Sequence, residues 1–192
     1  ASYDYEMTSG VPTNFVISPR PLFVTASNTT QPFGSLEPSI SASYTGLANG
    51  DIATATAPTC GTAVNPTTAS GVYASTCSGA ADPNYVITYV AGVVAVVRSA
   101  QTLSFPPVSR ETTVVSPEAS SSLPVALAAS GSCTVTSAGT GQWSINTLPF
   151  GGECRLTAVQ DGDSNFEAAP TAIRTFDVLA VTPEEPTFDP AP

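Results

Sequence analysis

The sequence predicts an all-β chain of tandem immunoglobulin-like β-sandwich domains, and three observations carry that expectation. In residues 84–97, NYVITYVAGVVAVV, Tyr85, Ile87 and Tyr89 alternate with Val86, Thr88 and Val90, Ala91-Gly92 interrupts, and a valine-rich run follows. Period two with β-branched and aromatic residues on both sides of a glycine reads as two strands joined by a tight turn, the closing hairpin of a β domain. A helix is disfavoured, because consecutive β-branched residues lose χ1 freedom there and would spread apolar groups over every face. The second observation is punctuation: 18 prolines and 14 glycines in 192 residues are many for helices and ordinary for short strands with turns. The third is that the four cysteines form one close pair in each half of the chain, Cys60 with Cys77 and Cys133 with Cys154.

The closing hairpin places a first domain over residues 19–98. Pro19-Arg20-Pro21 opens it, residues 22–26 are a first strand, 27–32 a polar turn region, and 39–44 a further alternating strand. The segment GLANGD, residues 46–51, contains an Asn-Gly step suited to a primed turn. Strands are expected next over 52–56, 59–62 and 71–77, which gives the six or seven short strands of a two-sheet sandwich. Residues 1–18 repeat the alternating pattern: Tyr3, Tyr5 and Met7 alternate, Gly10 breaks the run, and 14–18 resume it. This β-hairpin-like segment reads as the end of a preceding repeat or as an extension packed on a neighbour, with a partly ordered linker as the plain alternative. A lone two-stranded hairpin is marginal, so it needs a partner surface, either within the protein or on the strand edge of another molecule.

A second domain is expected over residues 99–181, with strands at 102–105, 125–128, 133–136, 142–145, 153–159 and 172–181, and a turn at Gly139-Thr140-Gly141. The only tryptophan, Trp143, reads as a core or sheet-face residue, with an exposed carbohydrate or aromatic contact as the alternative. Both halves carry a similar signature before their last strands, Asp82-Pro83-Asn84-Tyr85 and Asp163-Ser164-Asn165-Phe166. A buried aromatic, Tyr85 or Phe166, after an asparagine, Asn84 or Asn165, that ties a turn to its own backbone would explain both without a ligand. Residues 182–192, TPEEPTFDPAP, read as an acidic, proline-rich linker or tail.

Four cysteines permit three pairings, and separate domains favour Cys60–Cys77 and Cys133–Cys154, with free buried thiols as the alternative. Zinc is disfavoured because histidine and CxxC spacing are both absent. Two disulfides imply an oxidising compartment, hence an extracellular or cell-surface location. The net charge of −10 opposes nucleic acid, whose phosphates need cations, and opposes anionic membrane surfaces. No apolar run has the length of a bilayer span, and the first residues show neither the basic start nor the apolar core of a signal peptide.

The opener PRPLFVTA at 19–26, GLANGD at 46–51 and GVYASTCSGAADPNYVITYVAGVVAVV at 71–97 resemble the MBG family of bacterial immunoglobulin-like repeats. Residues 99–181 resemble a related bacterial Ig-like repeat through QTLSF at 101–105, SGSCTV at 130–135, GGECRLTAVQDGD at 151–163 and the closing segment from Asp163 to Pro170. These resemblances imply tandem modules of very large secreted or surface-attached proteins, with neighbouring repeats as partners and no catalytic residues to carry over.

Enzymatic chemistry is not expected. Without histidine or lysine, histidine triads, lysine nucleophiles and phosphate-binding lysines are excluded, and lysine-dependent isopeptide cross-links are excluded as well. A glycosidase needs only two carboxylates, but the acids here gather in turns and the tail. No cofactor is expected. The nearest thing to a metal site is a weak calcium candidate at Asp161, Asp163, Asn165 and Glu167. Its alternating oxygens resemble the start of an EF-hand loop, but Phe166 holds the glycine position and Ala172 the bidentate glutamate position. A solvated acidic turn is the bland reading. Asn28-Thr29-Thr30 has the form of a glycosylation triplet. The function expected is a non-catalytic extracellular stalk or spacer of an adhesin-like protein. The alternatives are a module that binds a cell-surface glycan or protein, and a filament subunit assembled by strand exchange through the N-terminal segment.

Overall fold

The computed structural model describes residues 18–181, and they form strands, turns and irregular connections. The alternating segment at 1–17 and the tail at 182–192 lie outside the described residues. No helix among the described residues is long and apolar enough to cross a membrane. The fold is all-β, as expected, and consists of two Ig-like β-sandwich units. Residues 18–31, 35–66 and 72–95 compose the first, and residues 32–34, 67–71 and 96–181 the second.

In the first unit β1 (Arg20–Ala26) is central to a three-stranded sheet, antiparallel to β3 (Ala42–Thr45) on one side and parallel to β6 (Tyr85–Val90) on the other. Its period-two pattern separates the faces: Leu22, Val24 and Ala26 are buried while Phe23 is exposed. Burying Leu22 or Val24 contributes roughly 2 kcal/mol each by transfer from water. The opposing sheet has the order β2 (Thr29–Pro32), β7 (Gly92–Val97), β5 (Gly71–Ser78), β4 (Thr59–Thr62). Leu22, Val24, Ala26, Cys77 and Tyr85 form the core, with Ile40, Tyr44 and Ile87 packed against it.

The closing hairpin read from residues 84–97 is not formed. Both strands exist, but β6 lies beside β1 and β7 belongs to the other sheet, so the chain changes sheets at Ala91. Gly92 accordingly lacks the positive φ of a primed turn. It is needed for close approach instead, because a Cβ there would lie 2.4 Å from the Ala26 carbonyl oxygen, 2.7 Å from that of Ser27 and 2.6 Å from Ser75 Oγ. Alternation reveals a strand without revealing its neighbour.

Two further expectations fail. Residues 52–56 form no strand, only the bridge from Thr56 to Ala81. Ile52 is 91% exposed, so that stretch has no large side chain inside. Residues 29–32, read as part of a turn, form the edge strand β2, where a terminal proline is tolerated. The Asn-Gly turn is present as expected: Asn49 and Gly50 have φ of 57° and 85°, and the Asp51 amide donates to the Ala48 carbonyl at 3.0 Å.

The second unit contains the sheet β11 (Ala126–Gly131), β14 (Gly152–Val159), β15 (Ala172–Val178) and the sheet β12 (Cys133–Gly139), β13 (Gln142–Thr147), β9 (Val114–Val115). A two-stranded ribbon, β8 (Leu103–Ser104) with β10 (Glu118–Ala119), completes it. The strands β9 and β10, of two residues each, have no counterpart in the sequence reading. The core gathers Phe105, Leu127, Ile145, Leu156 and Val178 around Cys133 and Cys154. Beside it lies a buried polar network: Gln101 Nε2 donates to Gln160 Oε1 and to the Glu167 carbonyl, and Ser121 Oγ donates to Gln101 Oε1. Gln160 Oε1 also accepts the Gly162 amide at 2.7 Å. Burial of two carboxamides is tolerated because their oxygens and the Gln101 amide nitrogen have partners.

Candidate functional site

The cysteines form two disulfides with different placements. Cys60 and Cys77 face each other on the neighbouring antiparallel strands β4 and β5, with Cα atoms 4.0 Å apart, and staple one sheet. Cys133 on β12 and Cys154 on β14, 5.2 Å apart, join the two sheets of the second unit. Closing segments of 17 and 21 residues stabilises each unit by about 3 kcal/mol in the chain-entropy account.

The two shared signatures build turns, but through aspartate. Asp82 Oδ1 accepts the Asn84 amide at 2.9 Å, and Asp163 Oδ1 accepts the amides of Asn165 and Phe166, both at 2.8 Å. The short carboxylate two residues ahead reaches those amides as an Asx turn. Tyr85 is buried with its hydroxyl donating to Asp51 Oδ2 at 2.6 Å and accepting the Ala48 amide at 3.0 Å, which pins the Asn-Gly turn. The Asp51 carboxylate is the main reason its phenol ionises above the usual range, since the bond requires the proton. Phe166 is half-buried and meets Phe33 edge-on at 5.4 Å, and Asn165 Oδ1 accepts the Ser70 amide at 2.9 Å, all within the second unit.

These bonds bear on the calcium candidate. Asp163 spends one carboxylate oxygen on two amides and Asn165 its carbonyl on Ser70, while Asp161 and Glu167 remain exposed along the same turn. Among the described residues no group of three or more histidine, cysteine, aspartate or glutamate side chains is placed to hold a metal ion. Asn28, the first residue of the glycosylation triplet, accepts the Val93 amide at 2.7 Å and so anchors the start of β7.

Trp143 lines a recess of the second unit. The ring is half-buried and packs against the core on β13, opposite Val115 of β9. It also lines a cleft of about 620 Å³ between the β12–β13 hairpin and the loop around β10, together with Leu123, Glu118, Ser122, Thr140 and Gln142. The glycines at the hairpin tip, Gly139 and Gly141, have positive φ and open space where a Cβ would be, so the tip is bare. The loop wall has no periodicity or motif to announce it, and sequence reasoning passed over it.

Residues 22–95 match the family model for the MBG domain (YGX type). The first unit therefore contains an MBG-type Ig-like domain, a non-catalytic structural type. No curated protein matches the chain. Among solved structures, protocadherin gamma B2 extracellular cadherin domains 3-6 are 11% identical with a TM-score of 0.32. That match covers 85% of this chain and 46% of the other, so the chain spans about half its length.

Proposed function

We propose that this chain, carrying an MBG-type Ig-like domain at residues 22–95, is a structural stalk or spacer module of a large bacterial secreted or surface protein, flanked there by further Ig-like repeats. The observation that carries the reading is the pairing of the MBG-type domain with a second sandwich, each closed by its own disulfide. Such bonds persist in oxidising surroundings, which supports an extracellular location. A spacer requires units that unfold separately and resist extension. The core of each unit and its covalent staple supply that resistance without a catalytic group.

Single-molecule force spectroscopy on the full chain tests the proposal. Two discrete unfolding events are expected, and reduction should lengthen them by roughly 55 Å and 70 Å, the extended lengths of the segments locked by the two disulfides. A chain that stretches smoothly at low force, or whose events ignore reductant, would overturn the reading.

A further inference from the structure

We infer that the Trp143 cleft binds a neutral carbohydrate, a pyranose glycan with an apolar C–H face. The inference is independent of the spacer reading and rests on four properties of the cleft. Its volume, about 620 Å³, is that of a small-ligand site. Its apolar part is supplied by a half-buried indole and by Leu123, which line the same cleft, a surface suited to the C–H face of a sugar ring. Its polar part is uncommitted: among the described residues, the Glu118 carboxylate, the Gln142 carboxamide and the hydroxyls of Ser122 and Thr140 have no hydrogen-bond partner. The adjacent serines differ in this respect, because Ser121 Oγ is spent on Gln101 and Ser120 Oγ on the Thr102 amide. The fourth property is charge. No arginine lines the cleft, and the chain has no lysine, so a phosphate, sulfate or uronate would meet Glu118 without a counter-charge. Hydroxyls that both donate and accept match the free serine, threonine, glutamine and glutamate groups, and one carboxylate suits a sugar hydroxyl donor.

The tryptophan makes the test direct, because a chain with one indole yields one indole N–H resonance. The full chain, labelled with nitrogen-15, is titrated with cellohexaose, laminarihexaose and hexa-N-acetylchitohexaose at about 1 mM, an affinity range open to a shallow cleft. In parallel it meets a synthetic peptide of residues 182–192, as an example of a proline-rich partner. At least one oligosaccharide should shift the Trp143 indole together with the amides of Thr140 and Gln142. Trp143→Ala disturbs core packing, so the exposed Gln142→Ala and Thr140→Ala variants carry the argument: each should weaken binding by about threefold to tenfold with an unchanged melting midpoint. The inference is overturned if no oligosaccharide moves the indole, if Gln142→Ala and Thr140→Ala both bind as tightly as the parent chain, or if only the peptide produces the shifts.

Discussion

Replacing Gly92 by alanine tests whether that glycine is needed for the close approach of the chain around it. The new methyl carbon would stand 2.4 Å and 2.7 Å from the carbonyl oxygens of Ala26 and Ser27 and 2.6 Å from Ser75 Oγ, all far inside van der Waals contact. Two of the three obstacles are backbone, so β7 or the end of β1 must move. Overpacking of this kind costs about 1–3 kcal/mol. The buried Ser75 hydroxyl, which donates to the Ser27 carbonyl at 2.8 Å, loses up to about 1 kcal/mol more as its acceptor shifts. Against this, alanine lowers the entropy of the unfolded chain by roughly 0.4–1 kcal/mol. The net expectation is a loss of about 2 kcal/mol, or roughly 10 °C in the midpoint of a unit this size. Differential scanning calorimetry of the full chain should show the loss, while the fluorescence of Trp143, the sole tryptophan and a residue of the second unit, reports an unchanged transition there. Gly61→Ala is the control: it lies in β4 with nothing within 4 Å of an added Cβ, and should stay within about 0.5 kcal/mol of the parent. An unchanged or raised midpoint for Gly92→Ala would refute the reasoning.

Gln101→Ala should lower the Trp143-monitored midpoint by an amount equivalent to about 2 kcal/mol, since Gln160 and Ser121 lose their buried partner; a near-neutral result would show that water replaces the carboxamide. Under native conditions reductant should open Cys60–Cys77 before Cys133–Cys154, because Cys60 is only partly buried, although Cys77 is buried, whereas both cysteines of the second pair are buried; timed alkylation and mass mapping that showed the reverse order would contradict this. Tyr85 holds its proton more tightly when folded, so its contribution is complete below the ordinary tyrosine range and is lost as pH rises past about 10 and through the higher folded value. The alkaline loss of stability in the first unit should therefore be shallower in Tyr85→Phe, and identical profiles would contradict the role given to the Asp51 bond.

Strand existence is legible in this sequence because period two persists wherever one face is buried. Leu22, Val24 and Ala26 alternate with outward residues, and Leu156 and Ala158 do the same in β14. Strand pairing is not legible from period, and that is where the closing hairpin fails. Val86–Val90 alternation is the same whether β6 neighbours β7 or β1, and only the crowding around Gly92 distinguishes them. The stretch at 52–56 misleads for the opposite reason, since its alternation is real but Ile52 points to solvent. The signature at Asp163 is visible as a turn, but the spacing alone leaves open which of two Asx side chains makes the bonds. Gln101 stands out in the opener, but its purpose depends on Gln160, almost sixty positions away. The Trp143 cleft is the least legible feature, because its wall is an irregular loop and its chemistry lies in side chains that bond nothing nearby.

The parallel pairing of β1 with β6 sets a timetable for synthesis. Arg20 lies opposite Tyr85 and Thr25 opposite Val90, so the central strand of the first sheet lacks one neighbour until nearly all of that unit has been made. Such distant partners raise contact order and slow folding, because a long loop must close before any contact offsets its entropy. The delay leaves the nascent unit without a completed first sheet until β6 has been made. Until then Leu22 and Val24, fully buried in the folded unit, stay open to solvent. Circular permutation of the first unit, opened ahead of β6 so that β6 and β7 precede β1, would remove the wait and give faster refolding in the tube.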